Sequence, residues 1–278
     1  MEPIPLLYIT GILMNANGCR PKKLKVGGME IRSKRKDIRQ QVIRDNNPDI
    51  IFIQESDIVL RNICTWSFPH RCYQSIGGQK AGIIFDALTF TECTAEHPQE
   101  RIRQIYEYRK FTLNENLSSA SLLDRMQAVI LQTKGPCIRK FLFVSWHGPH
   151  KLERNLKIKM LKDLKYLVSL YLLENDIPVV IGGDFNLDLS KENLFQRPFP
   201  PVFDPHVIPN AQFVLCDYLK LDHRPKKIDY IITSRTLTNV SCKPIDVWEH
   251  LLVKYPSLPL AYHTAVLDHD SLSVQFPI

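Results

Sequence analysis

The chain has 278 residues, 44% of them apolar, enough to bury a substantial core in one domain spanning 1–278. Lysine and arginine outnumber aspartate and glutamate 36 to 29, and the resulting charge of +7 favours anionic partners such as nucleic acid without deciding the fold. Seven scattered cysteines, odd in number and never closer than eight positions, exclude a disulfide framework and a zinc knuckle, and no run approaches the ~20 apolar residues of a membrane span. A reduced intracellular setting, nucleus or cytoplasm, is expected. Oligomeric state is not legible.

The opening "MEPIPLLYITGILM" runs straight into polar "NANG" and reads as a first strand rather than a cleaved leader. Ile38, Val42 and Ile43 mark one face of a helix over 34–46, with Ser33 as its cap; "NNPD" stops it, and "IIFIQES" follows as a buried strand ending at Glu55. Short apolar runs with turn residues around them predict strands at 81–87, 126–133 and 141–147. Leu152, Leu156, Met160, Leu164 and Val168 then recur every fourth residue as a helix, "ENDIP" breaks the pattern, and "VVIGGDFN" follows as a strand. Further strands are expected at 228–234 and 271–276, while the polar or proline-bearing stretches 96–121 and 187–224 read as long surface loops. Helix, break and acid-terminated strand thus occur twice, an α/β unit used twice. Many strands with few long helices predict two packed sheets with helices outside.

Polar residues sit at or beside these strands: Asn15 and Asn17 in "MNANG", Glu55 in "IQES", His147 in "SWHGPH", Asp184 and Asn186 in "GGDFN", Asp229 in "KKIDYII", and Asp268 with His269 in "LDHD". One such residue is an ordinary turn cap or solvent contact. As a set, carboxylates, amides and imidazoles suit a hard divalent cation and a water activated beside it. Glu55 and Asp184 converge if their strands are neighbours. In "GGDFN" the glycines are expected to let the backbone turn, and a spacing of two puts Asp184 and Asn186 on the same side of an extended chain.

In motif order the chain resembles the endonuclease/exonuclease/phosphatase superfamily: "NANG", "FIQES", "SWHGP", "GDFN", "IDYI" and a closing "LDHD" span most of its length. The resemblance implies a deoxyribonuclease I-like four-layer α/β sandwich, two mixed β-sheets flanked by helices. It implies a Mg²⁺-dependent phosphodiesterase, with Mn²⁺ as substitute, acting on nucleic acid as a nuclease or end-processing enzyme. The family also hosts phosphoinositide phosphatases and sphingomyelinase-like enzymes on the same core; a third reading is a nucleic-acid-binding protein with a decayed site, against which every core position keeps a usable side chain.

Under this resemblance Glu55 holds the metal with Asn15 beside it, Asp184 positions or deprotonates the water, and Asn186 orients the phosphate or Asp184. His269 lies against the phosphate, paired with Asp268, while His147, with Asp229 as partner, serves the leaving group. Asn17 stands where nucleases of the fold often have an acid, and Leu267 where the family usually has serine. Arg125 opens a strand within reach of a phosphate; His150 reads as a surface residue at a helix start. From Arg20 to Lys36 eight basic residues face one glutamate, and Lys34, Arg35 and Lys36 in the first turn after Ser33 oppose the helix dipole, which points to a phosphate-binding segment containing Arg20.

Overall fold

The computed structural model of the protein describes residues 8–16, 25–26, 29–56, 68, 70–113, 122–175, 177–192, 213–221, 227–254, 256, 269 and 271–278. In chain order the elements are β1 (Tyr8–Asn15), β2 (Lys25–Val26), β3 (Met29–Glu30), α1 (Ile31–Asn46), β4 (Ile50–Gln54), β5 (Tyr73–Gly77) and β6 (Ala81–Asp86). Then come β7 (Phe90–Glu92), α2 (Pro98–Leu113), β8 (Met126–Thr133), β9 (Lys140–His147), α3 (Arg154–Asn175) and β10 (Val179–Asp184). β11 (Phe213–Cys216), β12 (Asp229–Ser234), β13 (Ser241–Ile245), α4 (Val247–Lys254) and β14 (Ser271–Pro277) complete the set.

The repeated unit is real, and each copy seeds its own sheet. β1 and β4 pair in parallel across the α1 crossover, and β9 and β10 pair in parallel across α3. Antiparallel strands extend both, giving the orders β13-β14-β1-β4-β6-β5 and β11-β12-β10-β9-β8-β7. Strand alternation divides the apolar residues between two faces. Ile12, Met14, Ile51, Ile53 and Ile84 turn outward to meet Ile38, Val42 and Ile43 of α1 and Val247 of α4. Leu13, Phe52, Ile83 and Phe85 turn inward to the second sheet, where Phe52 meets Phe143 edge-on at 6.1 Å between ring centroids. On the far side Ile102 and Tyr106 of α2 and Leu161, Leu164, Leu167, Val168 and Tyr171 of α3 cover the second sheet. The result is the expected four-layer order of helices, sheet, sheet and helices. Among the described residues no helix is long and apolar enough to cross a membrane.

Several boundaries differ from expectation for physical reasons. α1 begins at Ile31, so Ser33 lies inside the helix rather than capping it, and Arg35 and Lys36 fall beyond its first turn. The conflict with the helix dipole is therefore weaker than the sequence implies. Its end is as read: Asn47 takes a left-handed φ of 42° and donates its N–H to the Ile43 carbonyl, just before Pro48. The supposed loop 96–121 contains α2, whose narrow stripe of Ile102, Ile105 and Tyr106 is buried or half-buried while most of its other described side chains are solvated. Within 187–224 lies β11, an edge strand with Val214 exposed.

Gly182 and Gly183 do not turn the chain; both lie inside β10. They permit close approach. A Cβ on Gly182 would come within 2.5 Å of the Phe52 ring, and one on Gly183 within 2.2 Å of the Trp146 carbonyl oxygen. Backbone cannot retreat as a flexible side chain can, so Gly183→Ala should cost about 3 kcal/mol of stability. Urea unfolding should show a lower midpoint at unchanged slope.

Candidate active site

Every strand end that carries a predicted site residue opens on one edge of the sandwich. Parallel β1, β4, β9 and β10 end there, with Asn15, Glu55, His147 and Asp184; antiparallel β12 and β14 begin there, with Asp229 at the first residue of β12 and His269 just before β14. In the second sheet Asp184 is in register with His147 on one side and Asp229 on the other, so three functional side chains share a row and a face. That face is the inner one. Two residues back along the same strands, Ser145 meets Gln54 and Gly182 meets Phe52, both from the first sheet.

Asp184 is the centre. It is 1% exposed, its Oδ1 accepts the Asn186 N–H at 2.8 Å, and its Oδ2 accepts from Asn186 Nδ2 at 2.9 Å and Asn15 Nδ2 at 3.0 Å. His269 Nε2 lies 3.8 Å and His147 Nε2 3.9 Å from the same Oδ2. Burial pushes the Asp184 carboxyl up to about 6, with Asp229 adding to the rise, while the His269 and His147 charges and the Asn186 N–H oppose it.

Two backbone conformations make this convergence possible. Glu55 follows β4 and would, in an extended chain, face away from Gln54; instead its φ of 49° breaks the alternation. Its Oε1 then lies 3.1 Å from His147 Nε2. A left-handed glutamate costs about 1 kcal/mol, a strain of the kind found at functional sites. The hydrogen bond with His147 holds the Glu55 carboxyl below its usual value against burial, and the charges of His147, His269 and His150 act in the same direction. Asn186 also has positive φ, 51°, so Asp184 and Asn186 do not share an extended face as expected. The left-handed turn brings the Asn186 amide back onto Asp184, a conformation asparagine tolerates well.

The fold thus brings together Asn15, Glu55, His147, Asp184, Asn186, Asp229 and His269, but the partner of Asp229 differs from the sequence reading. Asp229 meets His269: Nδ1 lies 2.9 Å from Oδ2 and 3.2 Å from Oδ1, while the expected partner Asp268 lies outside the described residues. The Nε2 of His269 faces Asp184 and Asn15. His147 accordingly pairs with Glu55 rather than with Asp229. Asp268, Asn17, Leu267, Arg20 and most of the loop after "NANG" lie outside the described residues. Arg125 is half-buried, and its Nη1 donates to the His147 and Gly148 carbonyls at 3.2 and 3.3 Å, so it braces the site's own backbone.

Sequence reasoning passed over three participants. His150 is no bystander at a helix start: its Nδ1 meets Asn186 Oδ1 at 3.1 Å, four residues before α3 begins. Lys157 reaches the Asn186 carbonyl at 3.1 Å, and the Tyr218 hydroxyl donates to the Asp229 carbonyl at 2.9 Å. Only the second histidine of "SWHGPH" offered a signal for any of them.

Glu55, His147 and Asp184 each place one ligand atom within 4.8 Å of the others, as do Asp184, Asp229 and His269. The first set, two carboxylates beside an amide with an imidazole behind, fits a hard divalent cation.

The family model described as the endonuclease/exonuclease/phosphatase family matches residues 32–257. That stretch excludes Asn15 and His269, which the fold carries into the site from either end. No curated protein sequence matches the chain. Among solved structures, TDP2 from C. elegans is 14% identical with a TM-score of 0.55, over 99% of this chain and 77% of that one. ANGEL2, a 2′,3′-cyclic phosphatase bound to adenosine-2′,3′-vanadate, is 16% identical with a TM-score of 0.57, over 100% and 97%. An endonuclease/exonuclease/phosphatase family protein from Bacteroides thetaiotaomicron is 14% identical with a TM-score of 0.57, over 99% of each chain. At these identities the likeness is one of fold.

Proposed function

Because the chain belongs to the endonuclease/exonuclease/phosphatase family, metal-dependent enzymes that hydrolyse phosphate esters, we propose that it is a Mg²⁺-dependent phosphodiesterase acting on nucleic acid, as a nuclease or end-processing enzyme. The observation that carries this reading is the buried Asp184 carboxylate, held by two amides and flanked by the His269–Asp229 and His147–Glu55 pairs. The net charge of +7 supports an anionic polymer as substrate, and ANGEL2, of the same fold, acts on a 2′,3′-cyclic phosphate.

Glu55, with Asn15 and Asp184 beside it, would hold the cation, which when bound neutralises phosphate oxygens and eases ionisation of water. Asp184 takes the proton of the attacking water; a carboxyl raised to about 6 is matched to a base working near neutral pH. Asn186 orients Asp184 and the phosphate. His269, its Nδ1 hydrogen committed to Asp229, presents Nε2 to the phosphate, and His147 delivers a proton to the departing oxygen.

The test is a panel of plasmid DNA, abasic duplex, 5′-tyrosyl DNA, RNA and phosphoinositides, each with Mg²⁺, Mn²⁺ or EDTA. Cleavage of at least one nucleic acid with Mg²⁺ or Mn²⁺, and none in EDTA, is expected. Turnover confined to phosphoinositides would reject nucleic acid as substrate, and full activity in EDTA would reject the mechanism.

A further inference from the structure

Beneath the site the two sheets are joined by a polar contact inside an otherwise apolar interface. Gln54, the last residue of β4, and Ser145, in β9, are both 0% exposed, and Gln54 Nε2 donates to Ser145 Oγ at 3.0 Å across 91 positions of sequence. Ser145 Oγ lies 3.4 Å from the Ile53 carbonyl, and Gln54 Oε1 is buried with no partner among the described residues. Their neighbours are Phe52, Phe143, Leu13 and Ile83. A buried amide with an orphan oxygen opposes stability, and apolar side chains in its place would pack without that cost.

Its position indicates what it does instead. Gln54 immediately precedes Glu55 and is in register with Asn15, while Ser145 stands two residues before His147 on the same face of β9. The candidate cation site is split between the sheets: Glu55 and Asn15 come from the first, His147 and Asp184 from the second. Apolar packing between sheets is non-directional and allows one to slide on the other, whereas a hydrogen bond at low dielectric fixes a distance and an angle. We propose that the Gln54–Ser145 hydrogen bond is a positioning clamp that sets the separation of the two half-sites, so that Gln54 and Ser145 determine cation affinity without touching the cation. This rests on the reading of that edge as a cation site.

The test uses the full chain and Mn²⁺ alone, with binding followed by calorimetry and by the rise in thermal midpoint. Gln54→Leu combined with Ser145→Ala removes both polar partners; its metal-free midpoint should equal or exceed that of the unaltered chain, while Mn²⁺ binds roughly 10- to 100-fold more weakly, the usual effect of losing an outer-shell partner. Should that double variant not fold, Ser145→Ala alone carries the same expectation for affinity. Phe143→Leu, in the same interface, should lower the midpoint and leave Mn²⁺ affinity unchanged. Affinity within twofold of the unaltered chain in the Gln54 and Ser145 variants, or an equal loss in Phe143→Leu, overturns the clamp alone. An unaltered chain that binds no Mn²⁺ overturns the cation site and the clamp with it.

Discussion

Asp184→Ala should lower kcat by about 10³-fold, within the range for removal of a positioned acid or base. Its Oδ2 accepts from β1 and from the loop after β10, with His269 and His147 Nε2 at 3.8 and 3.9 Å, so truncation deletes the proton acceptor and removes one hydrogen bond each from Asn15 Nδ2 and Asn186 Nδ2. Asp184→Asn keeps the shape but turns an N–H toward those donors and should be about as inactive. The two variants should differ in stability. Burial raises the Asp184 carboxyl from 3.8 to about 6, so the folded chain holds a proton that the unfolded chain releases. Ionised Asp184 therefore opposes folding, by on the order of 3 kcal/mol above pH 6, and this cost fades between 6 and 3.8 and is absent below. Without metal, the melting temperature of Asp184→Asn relative to the unaltered chain should be highest at pH 8 and fall as pH drops through that window. Hydrolysis should show the opposite sensitivity, falling as pH drops through about 6, with the acid limb moving lower as cation concentration rises and stabilises the carboxylate. An Asp184→Asn chain with a tenth or more of the normal kcat would remove Asp184 from the role of base.

The strands and the membership of the site were legible because burial writes them in local chemistry: apolar runs such as "IIFIQ" and "VVIGG" end abruptly on Glu55 and Asp184. Partnership was not. Glu55 and Asp184 were expected to meet if their strands were neighbours, yet β4 and β10 belong to different sheets, and their side chains approach through sheet packing and the left-handed φ of Glu55. Neither is a property of a short stretch of sequence. The same holds for His269, which meets Asp229 from 40 positions away. α2 escaped notice because only one narrow face is apolar, although Pro98 at its first position and Ile102, Ile105 and Tyr106 at helical spacing were available signals. The roles of Gly182 and Gly183 were inverted: a glycine pair reads as a turn, but here each is small so that Phe52 and Trp146 can approach.

That pairing of His269 makes the sharpest kinetic expectation after Asp184. Asp229→Asn should reduce kcat by about 10²- to 10⁴-fold, with KM within a few-fold of normal, as when a buried aspartate that orients an imidazole loses its charge. Asp229 is 2% exposed, and its backbone is fixed by the antiparallel pairing with Asp184 and by the Tyr218 hydroxyl, so the substituted amide must sit where the carboxylate sat. A carboxylate can only accept, so the Nδ1 hydrogen is always on its side, and its charge stabilises the imidazolium whose Nε2–H donates to the phosphate. An amide carries no charge to stabilise that imidazolium, and where it donates to Nδ1 it excludes the doubly protonated ring. His269→Ala should cost about as much, and the double variant little more than either, because the pair acts as a unit. Additive losses in Asp229→Asn with His269→Ala would break the assignment of Asp229 as a partner of His269.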